Sequence, residues 1–110
     1  MTQFDDREKA EEARFAHSEE LRFRAEVRRN KLLAFWAAEL MGIKELEGRQ
    51  AYANEVVAAD FTEAGDEDVF RKLADDMRAK GVVITDEAIR RKMVELVPVA
   101  KEQVLKEADA

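Results

Sequence analysis

The chain has 110 residues, a formal net charge of −6, 40% charged and 46% hydrophobic residues, four glycines, one proline and no cysteine. The missing cysteines exclude disulfides, thiolate zinc sites and a cysteine nucleophile, and the lack of any apolar run of about 18 residues excludes a membrane-spanning helix. The acidic balance argues against nucleic acid as the main partner, because duplex binding draws its affinity from neutralised phosphates.

Ala, Leu, Glu, Lys and Arg dominate, all strong helix formers, and an all-α chain with one modest core is expected. The first predicted helix runs from about residue 4 to residue 41 and stops at Gly42, a C-cap. Thr2 is its expected N-cap, with Asp5 and Asp6 in the first turn, where the helix dipole favours acids. Its first half is densely charged, with only Phe15, Leu21, Phe23 and Val27 as large apolar residues between positions 5 and 31. From residue 32 to 41 the stretch LLAFWAAELM turns apolar, and Leu33, Trp36, Ala37 and Leu40 share one stripe at helical spacing.

A second helix is expected over about residues 46–63, with Leu46, Ala53, Val56 and Val57 on its apolar face, ended by Gly65. Gly48 leaves its start open. Asp66 then caps a third helix over about residues 67–80, with Val69, Leu73 and Met77 at i, i+4, i+8, closed by Gly81. Val82, Val83 and Ile84 read as an extended linker, since no second strand exists to pair with them. Thr85 caps the fourth helix, and Ile84 and Ile89 have the spacing of a hydrophobic staple. Ile89, Met93, Leu96, Val97, Ala100 and Val104 form its stripe, Pro98 should kink or end it, and the terminal KEADA is expected to fray. The expected architecture is a four-helix bundle body over residues 31–110 carrying a charged helical arm over residues 1–30, helical or partly disordered.

Catalytic chemistry finds little support. Asp66, Glu67 and Asp68, like Asp75 and Asp76, read as capping or solvated acids, and no histidine accompanies them as a metal ligand. Ser18 beside His17 lacks an orienting third group. Arg22, Arg24, Arg28, Arg29 and Lys31 are candidate RNA contacts, but pairing with Glu20 and Glu26 along the helix is the plainer reading. A coiled-coil adaptor is a further alternative, although heptads are not sustained over residues 4–31. His17 is the single histidine, and an unperturbed imidazole titrates near pH 6.5, which makes it a candidate sensor of falling pH.

The stretch TQFDDREKAEEARFAHSEELRFRAEVRRNKLLAFWAAELMG, continued by AYANEVVAADFTEAGDEDVFRKLADDMRAKGV and TDEAIRRKMVEL, closely resembles the zeta subunit of alphaproteobacterial F-type ATP synthases. The resemblance implies a non-enzymatic inhibitor of ATP hydrolysis, cytoplasmic and peripheral to the inner membrane through the synthase, and a monomer when free. Its partners would be the catalytic, non-catalytic and rotor subunits of the catalytic head, with no nucleic acid and no membrane insertion. The inhibitory segment carried over to this chain is Thr2, Gln3, Phe4, Asp5, Asp6, Arg7, Glu8 and Lys9, on through Glu11, Glu12, Arg14, Phe15, Ala16 and His17. Phe4 and Phe15 would serve as aromatic anchors and the charged residues would fix orientation. No cofactor is required. The resemblance also implies weak ATP or ADP binding on the bundle, for which no phosphate-cradling glycine loop marks a place.

Overall fold

The computed structural model describes the backbone of residues 3–60 and 66–109, and side chains from residue 9 onward within those ranges. Five helices follow one another: α1 (Gln3–Ala16), α2 (Glu19–Leu40), α3 (Leu46–Ala59), α4 (Glu67–Ala79) and α5 (Asp86–Ala108). No strand occurs among the described residues. The predicted first helix is therefore two helices. Ser18 leaves the helical region at φ −132°, ψ 106°, and its Oγ accepts the Leu21 amide at 3.1 Å, an N-cap that starts α2 afresh. Glu19 and Glu20 then occupy the first turn of α2, on the side the dipole favours. The expected caps at Thr2 and Gly65 lie outside the described residues.

Helix α2 is the hub. It packs along α3 and α5, and α4 closes the bundle against α2, α3 and α5. Its inner face is built from Leu33, Ala34, Ala37 and Ala38, all without exposure, and three alanines there let neighbouring backbones approach closely. They meet Tyr52, Ala53 and Val56 of α3, Val69, Phe70, Leu73, Ala74 and Met77 of α4, and Ile89 and Met93 of α5. Trp36 is half-buried against this core and Lys92 Nζ stands 5.8 Å from its ring, whereas Leu40, expected in the same stripe, is exposed. α2 runs without interruption across residues 30 and 31, and Ala25, Arg29 and Asn30, all N-terminal to that point, are buried.

The junctions follow their local chemistry. Gly42 and Gly81 end α2 and α4 at φ +80° and +83°, a region that penalises a β-carbon. Gly48 sits in the first turn of α3 because a β-carbon there would meet Ile43 Cγ2 at 2.9 Å. Tyr52 joins α3 to α4 by donating to Asp76 Oδ2 at 2.9 Å; burial, then the Asp76 hydrogen bond and charge, hold the phenol protonated. Val82 and Ile84 pack on the core while Val83 is fully exposed, so only part of that linker is tucked in. Thr85 caps α5 as expected, its Oγ1 accepting the Ala88 amide at 3.1 Å. Pro98 does not end α5, which continues to Ala108. Val94, whose carbonyl would otherwise accept the amide that proline lacks, is an exposed residue. The fraying expected at the C-terminus is also corrected: Leu105 is buried and α5 stays helical through Lys106, Glu107 and Ala108.

Candidate functional site

Of the residues assigned to the arm, Thr2, Gln3, Phe4, Asp5, Asp6, Arg7 and Glu8 have side chains outside the described residues. Lys9 and Glu12 are exposed on α1, Glu11 is half-buried, and His17 is exposed at the break between α1 and α2. The chain stays hydrogen-bonded up to that break: the His17 amide donates to Ala13 O at 3.1 Å and the Ser18 amide to Phe15 O at 3.4 Å.

Phe15 is placed otherwise than expected of a free anchor. It is 5% exposed and forms a small second core with Ala25 of α2 and Val104 and Leu105 of α5, with Leu21 at the rim. Lys101 Nζ stands 5.4 Å from its ring, within cation–π reach. Burying a phenylalanine side chain fully contributes roughly 1.5–3 kcal/mol. One residue earlier, the Arg14 guanidinium donates through both terminal nitrogens to the Asp109 carboxylate, each at 3.1 Å. The hydrogen bond to Asp109 raises the arginine above its ordinary value, and the same bond holds Asp109 below the usual carboxylate range. The backbone of α1 lies near α2, and its side chains reach on to α5.

Between α1 and the bundle lies an open crevice of about 470 Å³, lined by Glu12, Phe15 and Ala16 on one side and by Arg22, Glu26, Arg29, Asp66 and Lys101 among those facing them. Its floor is a charge cluster that joins three parts of the chain. Arg29 is 6% exposed, donates Nη1 and Nη2 to the Asp66 carboxylate at 3.1 and 2.7 Å, and donates Nε and Nη2 to Asn30 Oδ1 at 3.1 and 2.9 Å. The hydrogen bond from Arg29 holds Asp66 below the usual carboxylate range. Glu26, Asp60 and Asp66 bring carboxylate oxygens within 4.8 Å of one another. Burial, then a hydrogen bond with Asp60, pushes Glu26 above that range. With Arg29 bidentate to Asp66, this cluster is an arginine-centred clasp between α2 and the start of α4. Three cationic and three carboxylate side chains line the crevice, so a polyphosphate there would meet as many negative groups as positive ones.

Asp66 keeps the N-cap position of α4 but makes no side-chain cap, because its carboxylate is turned to Arg29. Three other acids of the two runs are paired: Glu67 with Arg90 at 2.9 Å, Asp68 with Arg71, and Asp76 with Lys72 at 2.9 Å. Two arginines of the basic stretch of α2 form ion pairs across helices: Arg24 and Arg28 both reach Glu107, at 3.5 and 2.6 Å. Sequence reasoning missed the Arg14–Asp109 and Arg29–Asp66 pairs, which join residues 95 and 37 positions apart. No short-range signal marks them.

The sequence model of a family described as ATPase inhibitor subunit zeta matches residues 1–103. A solved chain, described as the solution NMR structure of a protein, is 46% identical and superimposes with a TM-score of 0.70, over 79% of this chain and 98% of that one. None of the curated proteins compared with the chain matches it. The family match covers α1 and follows α5 as far as residue 103, short of Val104 and Leu105 in the Phe15 seat.

Proposed function

The chain belongs to the ATPase inhibitor subunit zeta family, and from that premise we propose that it restrains ATP hydrolysis by the catalytic head of an F-type ATP synthase through α1. The helix enters the cleft between a catalytic and a non-catalytic subunit near the rotor and acts as a wedge. The bundle of α2–α5 is the handle that holds the wedge and presents it. The observation that carries the reading is the family match over residues 1–103, which takes in the arm and the bundle together.

The separation of α1 from α2 supports the division of labour. Ser18 supplies the α2 amides with their own cap, so the bundle does not need α1 as a helical continuation. Among the described residues no helix is long and apolar enough to cross a membrane, which fits a peripheral partner of the synthase. Fixed charges along α1, among them Lys9, Glu12 and Arg14, would orient the wedge in a cleft of complementary charge.

A hydrolysis assay tests the proposal. Titrating the full chain into the cognate catalytic head should suppress ATP hydrolysis, and in the complete membrane-bound synthase it should spare ATP synthesis, because rotation in that direction opens the cleft and expels the helix. No suppression, or equal loss in both directions, would contradict the wedge.

A further inference from the structure

We propose that α1 is held in reserve by a latch: its Phe15 face is seated on α2 and α5 in the free protein, and it must leave that seat before the arm can engage a partner. The inference rests on the reading of α1 as the inhibitory element and adds a regulatory step to it. Phe15 is the large apolar side chain of the described part of α1, and it is 5% exposed. An aromatic anchor already buried in its own bundle is not available to another surface. The same face cannot serve both contacts at once.

Three features make the seat releasable. It is small: Phe15 meets Ala25, Val104 and Leu105, with Leu21 at the rim, and the surface ion pair Arg14–Asp109 flanks it. It is loosely filled, since a crevice of about 470 Å³ stays open between α1 and the bundle. It is also hinged, because the chain leaves helical geometry at Ser18 and α2 begins with a capped amide of its own. Rotation about His17 and Ser18 therefore moves α1 without unwinding α2. A partner that captures α1 must do so against the docked population, and its apparent affinity falls by the undocked fraction.

The latch is tested with two changes to the full chain, alongside the unaltered protein. Ala16→Cys with Val97→Cys places thiols on the α1 and α5 walls of the crevice, away from the charges assigned to the wedge, in a chain that has no other cysteine. Bridging them with a flexible bis-methanethiosulfonate reagent ties α1 down, and reduction frees it. Asp109→Arg faces Arg14 with a like charge and loosens the seat from the bundle side. The expected results are inhibition of ATP hydrolysis that is lost on bridging and restored on reduction, and for Asp109→Arg half-inhibition at roughly two- to fivefold lower concentration, the range of an exposed ion pair. Bridged protein that inhibits as well as its reduced form would overturn the latch and leave the wedge standing, as would an Asp109→Arg variant no more potent than the unaltered chain. An unaltered chain that does not inhibit would remove the wedge, and the latch with it.

Discussion

The two cores of this molecule differ in kind. The main one, around Leu33, Val56, Val69, Leu73, Met77 and Ile89, draws on four helices and leaves these side chains with no exposure. The second, around Phe15, draws on four buried residues and borders an open crevice. Burial free energy scales with the apolar area removed from water, so the first can hold a fold and the second can hold only a docked position. A molecule built this way keeps a stable handle and a detachable helix in one short chain.

That contrast can be broken at either end. The largest effect is expected for Leu33→Ala, which opens a cavity where four helices meet and should lower unfolding free energy by about 2–5 kcal/mol in a denaturant titration followed by Trp36 fluorescence. Phe15→Ala should cost less, about 1.5–3 kcal/mol, because the seat it empties borders an open crevice that can close over the loss. Its signature is local: amide exchange accelerates over residues 9–16 while the main core stays protected. If Phe15→Ala matched Leu33→Ala in both respects, α1 would be an integral part of the body. Ser18→Ala should follow at about 1 kcal/mol, with exchange rising in the first turn of α2.

The smallest effect is one of pH. Folding lifts Glu26, chiefly by burial, and lowers Asp66 through the Arg29 hydrogen bond. The raised group adds stability as pH falls through its folded-state titration, and the lowered group removes stability once pH falls below the ordinary carboxylate range. Thermal midpoints should therefore rise slightly on the acid side of neutrality and then drop. Glu26→Gln should flatten the rise and leave the drop. A steady decline from neutrality in the unaltered protein would contradict the raised Glu26 carboxyl.

The sequence made the main core legible because its signals are local. Val69, Leu73 and Met77 repeat at helical spacing, Thr85 and Asp66 precede their helices, and Gly42 and Gly81 follow theirs. The detachable part was not legible, for a matching reason. Phe15 looks isolated in a charged stretch because its neighbours Val104 and Leu105 lie about ninety positions away. Asp109 sits in a terminal segment that composition alone reads as loose, yet it closes on Arg14. Ser18 did carry a signal, a serine followed by Glu19 and Glu20, but strong helix formers on both sides masked it as a mid-helix residue. Asp66 kept its predicted position and lost its predicted bond, because a buried guanidinium outcompetes a backbone amide for the carboxylate.

The most direct measurement compares the full chain with one lacking residues 2–17, keeping Ser18 so that α2 retains its cap. Both are added to the cognate catalytic head and ATP hydrolysis is followed, with circular dichroism confirming that the shortened protein is folded. The full chain should inhibit and the shortened, folded one should not. A shortened protein that inhibits equally well would show that the bundle, and not α1, is the working surface.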